Sequence, residues 1–421
     1  MKGKIYLNAL LLFAITIIFS GCTTVDEGIV YVNVNAQTGG DGTTWETAYN
    51  YLQDALDKAK PGEEIWVAAG TYKPNLEIGG SGNRYKSFQL KNGVGLYGGF
   101  TGKETKREQR DWQVNETILS GDLKNDDDGF NKNDENSYHV VHGNGTDSTA
   151  ILNGFIITAG NANFDVWPDD GGGGMNNHDG SPTLENCTLK SNAAFADGGG
   201  MRNWGDNSKP IIINCKFIGN SAEQEGGGMM NGPGSKPTVI NCKFFSNSAG
   251  EDGGGMYNNE SYNSLIANCV FSLNSATLTG GGMYNVNESS PKVINCTFNN
   301  NSAESAGGAL CNNNGYPTLV NCILWGNSAP DNQEIHNIGS STPVVSFSNI
   351  SGGYKGTSNI DVDPLFADGE LRLSKGSPCI DAGDNNAVPD DISSDHDGNP
   401  RILNSIVDLG AYEFKQRIKN N

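Results

Sequence analysis

Six cysteines, each preceded by an asparagine, recur through the middle of the chain at intervals of 28, 27, 27, 27 and 26 residues. They are Cys187, Cys215, Cys242, Cys269, Cys296 and Cys322. A near-constant period of this length is typical of proteins that stack one supersecondary unit per repeat. We therefore expect an elongated stack, in which each recurring position becomes a column of like residues along the axis.

The repeat itself contains short strand-like runs, and residues 182–330 show no helical periodicity. In the unit around Cys242, alternation predicts Val239 and Asn241 on one face of the chain, with Ile240 and Cys242 on the opposite face. Units that consist only of short strands and turns predict an all-β solenoid, a parallel β-helix.

Equivalent residues in such a stack lie about 4.8 Å apart, so side-chain amides can donate to one another along the axis. One predicted ladder consists of Asn186, Asn214, Asn241, Asn268, Asn295 and Asn321, and a second of Asn192, Asn220, Asn247, Asn274, Asn301 and Asn327. We interpret both as structural. The cysteine column is interpreted as buried free thiols, because parallel Cβ vectors make the disulfide dihedral hard to reach; disulfide bonds are the alternative.

Two further segments indicate how the stack ends. Residues 47–60 place alanines and leucines on one helical face and stop before Pro61, which predicts a short helix lying over the first coil. Residues 341–414 lose the repeat and are expected to close the other end.

The motif Asn-Cys-x-Phe-x-x-Asn-Ser-Ala, followed by Gly-Gly-Gly-Met-Tyr-Asn, resembles right-handed parallel β-helix proteins with polymorphic outer-membrane repeats. Residues 361–366, 376–383, 397–401 and 408–413 resemble the choice-of-anchor Q domain of secreted bacterial proteins. These resemblances imply a right-handed β-helix with a short N-terminal capping helix and an irregular C-terminal cap. They specify the architecture more closely than any activity.

The first residues are basic and lead into an apolar run that ends at Phe19-Ser20-Gly21-Cys22. This end resembles a lipobox, which predicts a signal peptide and a lipid on Cys22. A transmembrane anchor is the alternative, but the run is shorter than the 18 or so apolar residues that a span needs. The acidic tract that follows resembles one that directs some lipoproteins to the outer face of the outer membrane, so we expect a surface-exposed location.

These boundaries divide the chain into five parts. Residues 1–21 are predicted to be the signal peptide, 22–28 a lipid-anchored linker, 29–150 an N-terminal cap with irregular early coils, 151–340 the regular coils, and 341–421 the C-terminal cap.

The net charge of −20 argues against nucleic acid or an anionic bilayer as a partner, because both need a basic footprint. Membrane contact is expected only through the N-terminal lipid. The acidic column Asp170, Asp197, Glu225 and Asp252 is predicted either to be solvated or to bind Ca²⁺, the one cofactor that the sequence indicates. The acidic segment 125–135 is interpreted as a solvated loop, because Lys124 occupies the first ligand position of an EF-hand.

A second column follows the recurring methionines and contains Tyr257 and Tyr284. Together with Arg202 and Trp204, these tyrosines could form a platform for sugar rings, since aromatic rings offer apolar faces with polar edges. The alternative is that they only cover the sheet.

We therefore expect a non-catalytic β-helix lipoprotein that engages an extracellular polysaccharide or another cell-surface partner. The first alternative is a lyase of an acidic glycan, for which Arg202 and Lys190 are the candidate residues, since such a reaction needs a positive group beside the uronate and a base. The second alternative is an adhesin-like structural surface protein.

Overall fold

The computed structural model describes residues 28–415, which wind into a parallel β-helix of about eleven coils. The predicted signal peptide, Cys22 and most of the predicted linker lie outside the described residues. Each regular coil contributes one strand to each of four sheets. The sheets are numbered 1 to 4 in the order of their strands within one such coil. All strand pairs within these sheets are parallel, with like positions of successive repeats opposite each other, as in Phe217 opposite Phe244.

Sheets 1 and 2 run nearly the full length of the stack. Sheet 1 consists of Ile29–Val32, Glu64–Ala68, Gly95–Phe100, Ile151–Asn153, Thr183–Glu185, Ile211–Ile213, Thr238–Ile240, Tyr262–Ala267, Ser290–Ile294, Thr318–Val320 and Val344–Ser346. Sheet 2 consists of Gly70–Tyr72, Thr117–Ser120, Ile156–Thr158, Thr188–Lys190, Lys216–Ile218, Lys243–Phe245, Val270–Ser272, Thr297–Asn299, Ile323–Trp325 and Asn349–Ile350.

Sheet 4 contributes to most coils, whereas sheet 3 is present only in the six coils between Asn161 and Ala303. Sheet 3 consists of Asn161–Ala162, Ala193–Ala194, Ser221–Ala222, Ser248–Ala249, Ser275–Ala276 and Ser302–Ala303. Sheet 4 consists of Phe88–Gln89, Val141–His142, Met175–His178, Met201–Trp204, Met229–Asn231, Met256–Asn259, Met283–Val286, Leu310–Asn313 and Ile335–Ile338. The described helices are the α-helix Leu52–Lys58 and the 3₁₀ helices Asn83–Tyr85, Arg107–Gln109 and Asn385–Ala387. Within residues 28–415, no helix has the length and apolarity that crossing a membrane requires.

The corner between sheets 1 and 2 is formed by the asparagine that precedes each ladder cysteine. Asn241 has φ 54°, a left-handed conformation that asparagine tolerates better than most residues. This conformation interrupts the alternation, so that Val239 and Cys242 both point inward and are fully buried. The predicted placement of these two residues on opposite faces is therefore wrong, because the alternation restarts after the corner.

One continuous core fills the stack from the N-terminal helix to Ile350. Its columns repeat from coil to coil, and the aromatic column is the most regular. Phe217, Phe244, Phe271 and Phe298 stack with neighbouring ring centroids 4.5 to 4.6 Å apart and ring planes within 3°. Because each inward position always meets its own kind above and below, the period of the sequence translates directly into packing.

The N-terminal helix covers the first coil, as the sequence predicts. It spans Leu52–Lys58, which is shorter than the predicted segment, and the chain is already extended at Ala59, ahead of Pro61. Leu52, Ala55 and Leu56 are buried and belong to the continuous core. The helix therefore closes the end at which the first strand would otherwise leave the core open.

The C-terminal segment differs from the expected end cap in its position. The last coil continues to Ile350, ten residues past the predicted boundary, and Tyr354 packs against the core beyond it. The following residues then lie on the outer face of sheet 2, where Leu371, Ala411 and Tyr412 pack on Val270. Val270 and Ile323 stand at the outward position that Lys216 and Lys243 occupy in earlier coils, and the tail buries both of these apolar side chains.

Candidate functional site

Arg202 lies in a buried ion-pair cluster rather than on a binding surface. Its side chain is 2% exposed, and its Nη1 lies 2.7 Å from Asp170 Oδ1 and 3.5 Å from Asp197 Oδ1. Its Nη2 donates to the carbonyl of Pro168. Since all of these partners belong to the protein, Arg202 is not available to a glycan carboxylate, and the prediction that it lines a ligand site or neutralises a uronate needs correction.

The acidic column is likewise bound to protein groups. Arg202 pairs with Asp170 and Asp197, while Asp252 Oδ1 accepts hydrogen bonds from Thr279 N at 2.9 Å and Thr279 Oγ1 at 2.7 Å. Burial raises the pKa of Asp197 to about 6, against the opposing effect of Arg202. Burial and the neighbouring Asp197 raise the pKa of Glu225 to about 7. Three of the four carboxylates predicted to bind Ca²⁺, those of Asp170, Asp197 and Asp252, therefore contact protein groups instead.

The two tyrosines that follow the sheet 4 methionines lie on the outer face of sheet 4, and both are buried. Tyr257 and Tyr284 are each 6% exposed, and their rings lie 5.4 Å apart at 13°. They pack with Met230, Val286 and Cys311, and Trp204 lies at the edge of this cluster. The predicted sugar platform needs correction, because it requires exposed ring faces; the alternative, a covering role, fits the structure.

The two candidate lyase residues are not brought together. Lys190 ends a strand of sheet 2, whereas Arg202 lies in sheet 4, and a strand of sheet 3 lies between them along the chain. A catalytic pair built from these side chains has no support in the fold.

The two predicted asparagine columns differ in their bonding. In the corner column, side-chain amides meet at only some steps, as between Asn268 and Asn241 at 3.0 Å, and the Asn295 amide has no partner within the described residues. In the second column, each amide from Asn192 to Asn301 donates to the next asparagine, ending at Asn327, at 2.8 to 3.0 Å. The corner residues thus share a backbone conformation, whereas the second column is a continuous buried ladder.

A third amide ladder was missed by the sequence analysis. Its side chains donate from coil to coil at 2.8 to 2.9 Å and comprise Asn177, Asn203, Asn231, Asn258, Asn285, Asn312 and Asn337. The available signal was an asparagine that recurs two residues after each sheet 4 methionine. In an extended strand this spacing puts the asparagine on the same face as the buried methionine, and the structure shows that the amides meet there from coil to coil.

All six cysteines of the cysteine column, Cys187 to Cys322, are free and buried. The Cys242 thiol donates to the carbonyls of Ile240 at 3.2 Å and Ile212 at 3.5 Å, and burial raises its pKa well above the usual value. In this geometry the thiols act as small apolar residues with a weak donor.

A cleft of about 650 Å³ lies over the corner between sheets 1 and 2. Its floor contains the corner asparagines Asn186, Asn214 and Asn241, together with Lys216. One wall is the loop 112–116, which presents Trp112, and the other is the C-terminal loop 394–398. The sequence analysis did not identify this cleft, because its walls are separated by nearly 300 residues and meet only when the tail folds back along sheet 2.

The walls of the cleft are held by internal bonds. Asp395 is fully buried, and its oxygens accept from the backbone N–H groups of Asp397, Asn399 and Glu413. Burial lowers the pKa of His396, whose Nδ1 lies 3.1 Å from the carbonyl oxygen of Asn268. A neutral imidazole that donates to this carbonyl leaves its second nitrogen as an acceptor.

The remaining groups of the cleft suit a polyhydroxylated ligand. Trp112 is half-buried beneath the Arg110 guanidinium, which lies 5.0 Å from the ring centroid. The corner amides can donate and accept, and Lys216 adds one exposed ammonium. An aromatic edge beside several polar groups is typical of ligand sites that fix orientation with few contacts.

The comparisons with known proteins agree with this architecture. A family model described as the right handed beta helix region matches residues 174–350. The crystal structure of pectate lyase Pel9A is similar with a TM-score of 0.52 and 15% identity, over 92% of this chain and 96% of that chain. A rhamnogalacturonan lyase gives a TM-score of 0.45 and 14% identity, over 81% and 91%.

A search of curated proteins finds no match. At these identities, the likeness to Pel9A concerns the fold alone. Together with the four parallel sheets, the family-model match shows that the chain has the right-handed parallel β-helix fold.

Proposed function

We propose that this protein binds an extracellular polysaccharide without cleaving it and holds the glycan in the cleft between residues 112–116 and 394–398. The observation that carries the proposal is the cleft itself, in which Trp112, the corner amides and Lys216 face one space of about 650 Å³. A row of amides spaced by coils matches a ligand that repeats along its own length. The acidic surface favours neutral glycans, while Lys216 provides one contact for an acidic sugar.

Affinity electrophoresis through gels that contain neutral or uronate polysaccharides tests this function. We expect retention on at least one glycan, and we expect Trp112→Ala to weaken it at least tenfold. Lys216→Ala should weaken retention mainly on acidic glycans. Tyr51→Ala and Lys209→Ala change exposed residues outside the cleft and serve as matched controls. Equal retention of Trp112→Ala and the controls would show that the cleft is not the binding site.

A lyase of acidic glycans is the second candidate, and one observation keeps it testable. His396 is a cleft residue with a lowered pKa, so it can act as a base at neutral pH, and Lys216 lines the same cleft. We expect no unsaturated product when the protein is incubated with uronate polysaccharides. An absorbance rise that His396→Ala abolishes would replace the binding function with a lyase function. If the protein bound to cells but to none of the glycans, the adhesin-like alternative would be favoured.

We also propose that a lipid on Cys22 anchors the protein at the outer face of the outer membrane. The support is the lipobox-like end at Cys22 and the acidic tract after it. Cys22→Ser should release the protein from the membrane fraction, and protease treatment of intact cells should digest the wild type. Membrane retention of the Cys22→Ser variant would contradict a lipid anchor.

A further inference from the structure

A loop in one of the early coils gathers three carboxylates into one small space. Residues 121–140 connect the sheet 2 strand Thr117–Ser120 to the sheet 4 strand Val141–His142, where later coils have sheet 3. Oxygen atoms of Asp122, Asp127 and Glu135 all lie within 4.8 Å of one another. Within residues 28–415, no other set of three or more acidic, histidine or cysteine side chains is gathered in this way.

Buried acceptors without partners surround this cluster. Asn136 is 1% exposed, and its Nδ2 donates to Asp127 Oδ2 at 2.8 Å, which places the amide group against the cluster. Its Oδ1 has no hydrogen-bond partner within the described residues, and neither do the buried oxygens Asp127 Oδ1 and Glu135 Oε1. Buried polar atoms without partners destabilise the folded state, so three such oxygens close together indicate a bound cation.

The charge of the site is not balanced by the protein. Two cations lie nearby. Lys73 Nζ is 3.8 Å from Asp122 Oδ1, too far for a hydrogen bond, and Arg84 Nε donates to the backbone carbonyl of Asn136 at 2.8 Å. One ammonium and one guanidinium against three carboxylates leave an excess of about one negative charge.

We propose that Asp122, Asp127 and Glu135 bind one Ca²⁺ ion and that Asn136 Oδ1 supplies a neutral ligand. Calcium takes six to eight oxygens at about 2.3 to 2.6 Å, so oxygens on opposite sides of the ion are roughly 5 Å apart. Mg²⁺ usually keeps several waters and is held by one or two carboxylates, so a set of three carboxylates and an amide oxygen favours Ca²⁺.

This site is not an EF-hand. Lys124 stands at the first EF-hand position, as the sequence analysis noted, and the carboxylates come instead from both ends of the loop. Binding would tie the start of the loop at Asp122 to its end at Glu135, and so fix a segment that lacks the sheet 3 pairing of later coils. The site is also separate from the acidic column Asp170 to Asp252, in which Arg202 pairs with Asp170 and Asp197 and Thr279 donates to Asp252.

Isothermal titration of the chelator-treated full chain with CaCl₂ tests the proposal. We expect one Ca²⁺ site per chain, with an affinity for Mg²⁺ at least tenfold weaker than for Ca²⁺. The pair of changes Asp127→Asn and Glu135→Gln should weaken Ca²⁺ binding at least tenfold. Asp128→Asn, an exposed neighbour in the same loop, and Asp252→Asn, in the acidic column, should leave it unchanged.

The variant Lys73→Gln tests whether the three carboxylates bind a metal ion or are already neutralised by Lys73. Removing the competing ammonium should leave Ca²⁺ binding as tight or tighter. If the doubly changed variant does not fold, Asp122→Asn alone should still weaken binding at least tenfold. No binding at millimolar Ca²⁺ in both the wild type and Lys73→Gln, or a loss caused by Asp252→Asn, would overturn the assignment.

Discussion

Asn327 donates its side-chain amide to Glu334 Oε2 at 2.6 Å, and this bond ends the buried ladder that begins at Asn192. Each earlier amide of the ladder donates to the Oδ1 of the asparagine one coil further on, but Asn327 has no such successor. Glu334, which is 6% exposed, supplies the missing acceptor. The third ladder ends in the same manner, with Asn337 Nδ2 lying 3.0 Å from the hydroxyl of Tyr354. Single acceptors thus close the polar columns at the C-terminal end.

Glu334→Gln should change how stability depends on pH. Burial raises the pKa of Glu334 from 4.5 to about 7, so its ionised form destabilises the folded chain. The contribution of the protonated group is full below about pH 4.5 and is lost as the pH rises through about 7. Glutamine keeps an acceptor for Asn327 without the charge. The variant should therefore be more stable than the wild type at pH 8, by about 2–3 kcal/mol, and the difference should vanish near pH 4.5.

Thermal unfolding between pH 4.5 and 8 measures this difference. Glu223→Gln, an exposed glutamate, is the control, and its curve should follow the wild type. A constant offset between Glu334→Gln and the wild type across this range would contradict the prediction.

Asn247→Ala should destabilise the fold far more than Asn214→Gly. The Asn247 amide donates to the carbonyl of Phe217 and to Asn274 Oδ1, both at 2.9 Å, and it accepts from Asn220. Alanine leaves these buried groups unpaired, which should cost about 3 kcal/mol or more. Asn214 is exposed, its ladder bond is 3.4 Å long, and its φ of 53° suits glycine, so its replacement should cost less than about 1 kcal/mol. Denaturant unfolding compares the two, and equal losses would refute the distinction between the columns.

Arg202→Met should be strongly destabilising, although Met230 occupies the equivalent position one coil later. The change leaves Asp170 and Asp197 without their cation in a mostly buried setting, which should cost about 3–5 kcal/mol near neutral pH. Adding Asp170→Asn and Asp197→Asn to the same variant should recover most of this loss. Melting temperatures of the single and triple variants test the idea, and failure of the added changes to restore stability would point to lost packing instead.

The six ladder cysteines should resist alkylation in the native protein. All are buried as free thiols, and the reactive form, the thiolate, is disfavoured by burial at positions such as Cys242 and Cys296. Iodoacetamide followed by peptide mass spectrometry should find these positions unmodified until denaturant is added. A disulfide between neighbouring coils, detected without reduction, would contradict the structure.

Much of the fold follows from the period of the sequence. The columns of Phe244 and Cys242 could be aligned from spacing alone, and the structure places their members directly opposite each other. The capping helix was also predictable, because its apolar face is a local pattern. The cleft and the loop carboxylates were not predictable, since both depend on segments that meet only after the coils have stacked.

The sequence by itself determined the parallel β-helix, its near-constant coil length and the identity of its columns, because stacking equal segments brings each residue next to its own repeat. Only the tertiary structure decided which side of the wall each column faces. The left-handed corners reset the alternation, which turned one asparagine column outward and two into buried ladders. Burial beside Asp170 made Arg202 an internal ion-pair partner, and the apolar outer face of sheet 2 brought the tail back to build the cleft. Such long-range burial is decided by surfaces that no local pattern contains.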